Sequence, residues 1–118
     1  MHIALKRIYD RAEEEDGTRI LVDRLWPRGV KKEEASLDGW WKSLAPSDEL
    51  RKWFGHDPDK WSEFRKRYRK ELQDHRSEAA ELLEGIDKRK KVTFLYGAKD
   101  ETHNQAVVLR EFVLTLSK

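Results

Sequence analysis

Three short segments of the chain have the apolar pattern of β-strands. Residues 3–9 alternate partly between apolar and polar side chains, residues 19–23 form an apolar run that ends before Pro27, and residues 92–96 are almost wholly apolar. Such segments, rich in branched and aromatic side chains, predict strands, and the last pattern favours a central position in a sheet. The link over residues 10–18 is short for a parallel crossover, so the relative direction of the first two strands stays open.

Between residues 33 and 86 the apolar residues recur at helical spacing instead. A first helical piece would place Trp40, Trp41 and Leu44 on one face. Pro46 then ends that piece, because proline cannot continue a helix without a break.

Two further helices have clear start and stop signals. Ser47 is a good N-cap for a short helix, and Gly55 can end it in a left-handed conformation. Asp57 can cap the next helix, with Pro58 at its first position. The apolar face of that second helix, at steps of three or four residues, consists of Trp61, Phe64, Tyr68 and Leu72.

The order of these elements predicts the fold class. Amphipathic segments over about residues 77–85 and 100–116 predict helices before and after the last strand. The order indicates an α/β fold, with a small, mainly parallel central sheet of three or four strands flanked by helices and a right-handed crossover over residues 24–91. With 118 residues, 37% of them hydrophobic, the chain can bury one core, and we expect residues 1–118 to form a single compact domain.

Charge and cysteine content narrow the function classes. Charged residues make up 41% of the chain, but 25 basic residues face 23 acidic ones, which favours a soluble protein over a dedicated polyanion binder. Without cysteine there is no disulfide, thiolate nucleophile or cysteine metal site, and the N-terminus has no apolar signal core. No apolar run approaches the roughly 18 residues that span a bilayer, so we expect a cytoplasmic protein without membrane insertion.

Polar side chains follow two of the predicted strands where each strand ends. After the second strand come Asp23, Arg24, Trp26 and Arg28. After the last strand come Tyr96, Lys99, Asp100, His103 and Asn104. In open α/β sheets ligands bind beyond the carboxyl ends of parallel strands, where loops converge and helix N-termini point their amide groups. If the two strands are parallel neighbours, both groups of side chains face one crevice and are its candidate ligand-binding residues.

An anionic small molecule is the natural ligand of such a crevice. Arg24 and Arg28 can each present a planar pair of donors to a phosphate or carboxylate, and Lys99 adds a point charge. The terminal helix would contribute its positive end, and Trp26 offers a stacking wall.

Two side chains near the predicted crevice could transfer protons, so an enzymatic function stays open. The candidates are Asp23 and His103, the latter because an unperturbed histidine titrates near neutrality. Structural roles are open as well, since Asp23 can pair with Arg24 and His103 can bond locally within its helix. Lys99 and Asp100 favour a solvent contact and a helix cap over catalysis.

A histidine beside a carboxylate, His56-Asp57, lies at the joint between two predicted helices. Because Asp57 has its own role as an N-cap, the pair favours a structural corner, although this corner could fold over the crevice and supply His56 as a ligand residue. The four histidines are scattered along the chain, and we expect no metal site. Phosphate-loop and dinucleotide-binding glycine patterns are absent, and we expect no cofactor.

Two other functions compete with ligand binding. Basic residues over 65–70 could bind nucleic acid phosphates from the helix over 58–73, but Glu63 and Glu71 each lie four residues from Arg67 and favour a solvated helix face. An accessory protein that binds a partner protein through exposed tryptophan would instead require a large exposed apolar patch and no polar crevice.

Three separated motifs, residues 21–29, 44–58 and 95–104, resemble the YeaO-like family of bacterial and archaeal proteins. The resemblance covers essentially the whole chain and implies a compact α/β fold, but no established activity. Some more distant relatives of that family carry cysteines near the end of the last strand and in the following helix. Tyr96 and Asn104 stand at those places here, so the resemblance implies no thiol mechanism for this chain.

Overall fold

A parallel sheet organises the chain in the computed structural model, which describes residues 1–117 and leaves Lys118 outside the described residues. Within that range the sheet has four strands, which lie in the spatial order β1-β4-β2-β3 and all run parallel. They are β1 (Ile3–Arg7), β2 (Thr18–Leu21), β3 (Gly39–Trp40) and β4 (Val92–Tyr96). The sequence left the direction of the first strand open, and the structure shows that it is parallel to the second. This direction is possible with a short link because β4 lies between the two strands and pairs with both.

Helices cover the two faces of the sheet unequally. They are α1 (Lys32–Ala35), α2 (Asp48–Phe54), α3 (Trp61–Asp74), α4 (Arg76–Glu84) and α5 (Gln105–Leu116). The larger core packs α2, α3, α4 and α5 against one face, through sheet residues such as Ile20 and Phe94. The smaller core lies on the other face, where Leu21 and Leu95 pack against Ala35 of α1. The predicted α/β class and central position of the last strand are therefore confirmed. No helix within residues 1–117 is long and apolar enough to cross a membrane.

The caps predicted at Ser47, Gly55 and Asp57 are confirmed because they depend on local chemistry. The Ser47 Oγ accepts a hydrogen bond from the backbone N–H of Leu50 over 3.2 Å and begins α2. Gly55 ends α2 with a φ of +52°, which is the left-handed conformation. The Asp57 carboxylate caps the 3₁₀ turn that leads into α3, with Pro58 at its first position.

The predicted helix through Trp40 and Trp41 is wrong. Gly39 and Trp40 pair with β2 as a short edge strand, and a 3₁₀ turn follows over Lys42–Leu44. The two tryptophans consequently point to opposite faces of the sheet, as successive strand residues do. Trp40 lies against Trp26 on the smaller core, with 5.5 Å between ring centroids, whereas Trp41 lies 5.4 Å from Phe94 in the larger one.

The terminal helix begins at Gln105, five residues later than the pattern of residues 100–116 predicted. Asn104 is its N-cap, and the Asn104 Oδ1 accepts hydrogen bonds from the backbone N–H groups of Ala106 at 3.0 Å and Val107 at 3.3 Å. The residues before Asn104 form a separate turn, so the loop between β4 and α5 is longer than the sequence pattern predicted.

A buried ion pair between Asp16 and Arg19 connects the start of β2 to the end of α1. Asp16 and Arg19 are each only 5% exposed, and their side chains contact each other directly. Arg19 also donates from Nη2 to the carbonyl of Ala35 over 3.0 Å and from Nε to that of Ser36 over 3.1 Å. Lys6 Nζ adds a second cation at 3.0 Å from Asp16 Oδ1. This cluster satisfies carbonyl groups at the end of α1 that would otherwise lack partners.

Candidate functional site

Asp23 brings the ends of β2 and β4 together. Its Oδ2 accepts a hydrogen bond from the backbone N–H of Gly97 over 2.9 Å, and its Oδ1 accepts one from the side-chain amide of Gln105. One carboxylate therefore links the loop after β2, the loop after β4 and the first turn of α5. The two strands are parallel neighbours, and Gly97 and Ala98 after β4 line one crevice together with Asp23, Arg24 and Trp26 after β2.

Gly97 is required at this junction because the backbone approaches Asp23 closely. A Cβ atom at position 97 would lie only 2.9 Å from Asp23 Oδ2 and 3.8 Å from the Cβ of Pro27. The first of these distances is too short for non-bonded contact, so any larger residue would displace the carboxylate. The glycine thus allows the direct N–H contact.

The Asp23 carboxylate has no cationic partner. Within residues 1–117 no Lys, Arg or His nitrogen lies within salt-bridge distance of it, and its two donors are both neutral amides. Desolvation raises the pKa of Asp23 to about 6, and the hydrogen bonds from Gly97 and Gln105 oppose that rise only in part. The structure thus holds a partly desolvated, uncompensated carboxylate beside a cavity.

A cavity of about 330 Å³ opens beside Asp23, between the strand exits and α2. Its walls are largely apolar and include Leu25, Trp26, Pro27, Pro46, Phe54 and Phe64. Three cationic side chains also line it, and these are Arg24, Arg51 and Lys52. The crevice therefore combines an apolar wall, a carboxylate and a basic side formed largely by α2.

Arg24 and Arg51 converge at the basic side of the crevice. Arg24 donates from Nε to the carbonyl of Pro46 over 2.7 Å, which turns its guanidinium away from Asp23 and toward α2. The same Nε lies 3.9 Å from Asp48 Oδ1, and Arg51 Nη2 lies 3.4 Å from that oxygen. Both guanidinium groups therefore reach one carboxylate oxygen, and the side chain that carries it is 60% exposed.

His56 lies at the rim of the crevice. It is exposed, lines the cavity and has a φ of +58°, directly after the left-handed Gly55. A positive φ is unusual for a residue with a Cβ, and it falls in the corner between α2 and α3, which lines the crevice through Gly55 and His56. Asp57 points into its own cap and does not pair with the histidine. The corner thus has its structural role and also supplies His56 to the crevice.

Two cations that the sequence proposed as ligand residues do not line the crevice. The Arg28 side chain is exposed, and the backbone carbonyl of this residue accepts a hydrogen bond from the hydroxyl of Tyr9. Lys99 is likewise exposed and outside the crevice. The chain reverses in a turn that the backbone bond from Val30 N–H to the Pro27 carbonyl closes, and this turn carries Arg28 outward.

The other residues after β4 have local structural contacts. Tyr96 is 2% exposed and belongs to the larger core, and Asn104 caps α5. Asp100 accepts hydrogen bonds from its own turn, and its Oδ2 lies 3.0 Å from Nδ1 of His103. The His103 ring meets Trp61 edge to face at 5.2 Å between centroids. None of these four lines the crevice, so the two proton-transfer candidates Asp23 and His103 are not brought together there.

The sequence did not point to Arg51, Lys52 or Gln105. Arg51 and Lys52 are on the polar side of a short amphipathic helix, which is typical of solvent-exposed residues. Gln105 follows the N-cap of α5 and carries no charge. One sequence feature could have indicated that these two cations reach the crevice. They belong to a helix that starts at Ser47, directly after a proline turn near the strand exits.

The three arginines of α3 contact acidic side chains of the same protein. Arg65 and Arg69 both reach Oε2 of Glu111 on α5, at 3.0 Å and 2.7 Å. Arg67 pairs with Glu63 one turn earlier, at 2.9 Å. Of the two glutamates that lie four residues from Arg67, Glu63 pairs with it, whereas Glu71 accepts hydrogen bonds from Ser47.

The tryptophans do not form an exposed patch. Trp41 is buried and the others are half-buried, whereas the large apolar side chains that are exposed within residues 1–117 are Met1, Tyr9 and Leu25. In the same range no group of three or more His, Asp or Glu side chains is arranged to hold a metal ion.

The fold and the crevice define a small parallel α/β protein with a candidate ligand site at the carboxyl ends of β2 and β4. The chain belongs to the family described as the inactive DUF488-N3 subclade, whose model matches residues 2–118. It is 47% identical over 116 residues to the uncharacterized protein YeaO of Escherichia coli, an alignment that covers 98% of this chain and 100% of YeaO. The predicted membership of the YeaO-like family is therefore confirmed.

Mycobacterial relatives are more distant. The uncharacterized proteins Mb3100c of Mycobacterium bovis and Rv3073c of Mycobacterium tuberculosis are each 36% identical over 111 residues, which cover 94% of this chain and 92% of each relative. No solved structure matches the chain significantly.

Proposed function

We propose that this protein binds a small molecule with a carboxylate or phosphate group in the crevice between Asp23 and α2. The observation that carries the proposal is that Arg24 and Arg51, which both line the crevice, converge on a single carboxylate oxygen, that of Asp48. Guanidinium groups bind carboxylates and phosphates through planar pairs of donors, and two such groups at one point favour an anion.

The cationic side chains of the crevice are only partly compensated by acidic neighbours. Arg51 Nε is buried and has no hydrogen-bond partner among the described residues. The Arg51 side chain as a whole is 40% exposed, so the rest of its guanidinium group is accessible to an anionic ligand. Asp48 offers only partial compensation, because its contacts of 3.9 Å and 3.4 Å are long and its side chain is 60% exposed. Lys52 adds a further positive charge at the same wall.

The apolar wall supports a ligand that also has a hydrophobic part. Trp26, Phe54 and Phe64 line the same cavity as the cations. Its volume of about 330 Å³ is near the lower end of the roughly 300–1,000 Å³ usual for small-molecule sites, so the ligand is expected to be small.

Binding without turnover fits the residues better than catalysis does. His103, one of the two proton-transfer candidates, bonds to Asp100 and lies outside the crevice. The description of the family as inactive also supports a binding role. We therefore propose a ligand-binding protein that acts in the cytoplasm, with Asp23 at the site for recognition.

Thermal-shift and calorimetric titrations with inorganic phosphate, sugar phosphates, nucleotides and carboxylates test the proposal. We expect at least one of these anions to bind the wild type, and Arg51→Ala to weaken its binding by about tenfold or more, as for loss of a charged hydrogen bond. The matched control is Arg28→Ala, because Arg28 is an exposed arginine outside the crevice. The proposal fails if no anion binds, or if Arg28→Ala weakens binding as much as Arg51→Ala does.

A further inference from the structure

We infer that the ligand of this crevice is a zwitterionic amino acid, whose ammonium group binds Asp23 and whose carboxylate binds Arg51 and Arg24. The inference rests on the proposed function, which requires only the anionic half of such a ligand. The inference adds an ammonium group to the ligand and therefore assigns the ligand to one chemical class, the amino acids.

The Asp23 carboxylate accepts fewer hydrogen bonds than it can, and both of its donors are neutral. Its two oxygens accept one neutral hydrogen bond each, from Gly97 and Gln105, whereas a carboxylate can accept about four. Arg24, the next residue in the chain, is held by the Pro46 carbonyl instead and does not neutralise it. Partly desolvated carboxylates are ordinarily paired with a cation, and this one has none within residues 1–117. An ammonium group in the cavity would provide the missing partner.

The charges that line the cavity favour a ligand with both charges over simpler ligands. A pure anion would bind the guanidinium groups but would be repelled by Asp23, which lines the same cavity. A pure amine would bind Asp23 but would face Arg24, Arg51 and Lys52. A molecule with both charges satisfies both sides, and like-charge contacts discriminate against the others.

The remaining wall specifies the side chain of the amino acid. Besides its charged residues, the lining includes Trp26, Phe54, Phe64 and further apolar residues. Burial of an apolar side chain there is favourable, whereas a polar one would lose its hydration. We therefore expect the apolar and aromatic amino acids to bind best.

The first experiment is a calorimetric titration of the wild type with three related probes: L-phenylalanine, phenylpropanoate, which lacks the amine, and phenethylamine, which lacks the carboxylate. The other L-amino acids are screened by thermal shift, and the best binder replaces phenylalanine together with its own two analogues. We expect the amino acid to bind at least about tenfold more tightly than either analogue, the usual size of one charged hydrogen bond. This comparison requires no variant.

The second experiment assigns the selectivity to Asp23. The variant Asp23→Asn keeps the shape of the side chain, and the Gln105 amide can reverse to accept from the new amide group. We expect the preference for the amino acid over its deaminated analogue to fall close to onefold in this variant. Arg28→Ala serves as the control and should retain the wild-type preference, because its side chain lies outside the crevice.

The outcomes separate this inference from the proposed function. If carboxylates or phosphates bind and Arg51→Ala weakens them, but no amino acid binds better than its deaminated analogue, the inference is overturned and anion binding stands. If the preference persists in Asp23→Asn, the assignment to Asp23 is overturned. If neither amino acids nor any anion binds, both proposals fail.

Discussion

The backbone N–H of Gly97 donates a hydrogen bond to Asp23 Oδ2 over 2.9 Å, and this contact joins the exits of two neighbouring parallel strands. Because neutral amides are its donors, the carboxylate is fixed in place without being neutralised. The Asp23 side chain thus makes a structural contact and also carries a charge without a cationic partner among the described residues. The stability of the free protein should therefore depend on the protonation of Asp23.

Asp23→Asn is expected to stabilise the ligand-free protein near neutral pH. Burial raises the pKa of Asp23 from 3.8 to about 6, so the folded state holds its proton more tightly than the unfolded state. Stability therefore falls as the pH rises between these two values, by at most about 3 kcal/mol, and stays lowered above them. Urea unfolding should show the variant more stable by about 1–3 kcal/mol at about pH 7.5 and nearly equal to wild type at about pH 4.

A matched surface change distinguishes this effect from a general effect of charge removal. Asp10→Asn removes the charge of an exposed aspartate outside the crevice and should change stability by less than about 0.5 kcal/mol at either pH. A loss of stability in Asp23→Asn near neutral pH, or a gain that does not depend on pH, would contradict the role given to the uncompensated carboxylate.

Gly97→Ala is expected to disrupt the same junction by steric means. The added Cβ would lie 2.9 Å from Asp23 Oδ2, and we expect a loss of about 1–3 kcal/mol in urea unfolding together with weaker ligand binding. Gly85→Ala is the control, because its Cβ would lie 3.4 Å from the Leu82 carbonyl and its φ of −79° suits alanine. That change should leave stability unchanged or raise it by up to about 1 kcal/mol. Equal losses in both variants would refute the close-approach argument.

The sequence predicted the features that local chemistry or parallel pairing determines. The caps at Ser47 and Gly55 depend on neighbouring residues, and the burial of Phe64, Tyr68 and Leu72 follows from one helical period. The meeting of the two strand exits followed from parallel pairing alone. These features could be predicted because each depends on one element or on one strand pair.

Other features depend on packing that no local pattern records. Trp40 belongs to a two-residue edge strand, which is too short to show the alternation that distinguishes it from a helix. Arg51 reaches the crevice because Leu50 and Phe54 fix the rotation of α2 in the core, and Arg28 leaves it because a turn reverses the chain. His103 precedes α5 because Asn104, rather than Asp100, is the helix cap.

Tyr68→Phe is expected to destabilise the wall of the crevice. The fully buried Tyr68 hydroxyl donates to the carbonyl of Leu44 over 2.6 Å, and Arg24 takes the carbonyls of the next two residues. Removal of this hydroxyl leaves a buried carbonyl without its donor, which costs about 1–3 kcal/mol in urea unfolding. Tyr9→Phe removes a similar bond, of 2.9 Å, at a residue that is 47% exposed, and should cost less than about 0.5 kcal/mol. A Tyr68→Phe loss no larger than that of Tyr9→Phe would rule out this role.

Arg19→Met is expected to cost about 3 kcal/mol near neutral pH, because it removes one partner of a buried ion pair and two bonds to carbonyls at the end of α1. Arg89→Met is the control, since Arg89 pairs with Asp87 but is 91% exposed, and it should cost less than about 0.5 kcal/mol.

The cost of Arg19→Met should also depend on pH. Ionisation of Asp16 stabilises the fold, whereas ionisation of Asp23 destabilises it. Burial raises the pKa of Asp16, but hydrogen bonds from the Glu13 backbone, Lys6 and Arg19 outweigh it and hold this pKa below its ordinary value. The stability contributed by such a carboxylate is present above the unfolded-state pKa and is lost as the pH falls through the folded-state pKa. The difference between wild type and variant in urea unfolding should therefore shrink as the pH falls below about 4. A difference that grows in acid would show that the Asp16 charge does not stabilise the fold through Arg19.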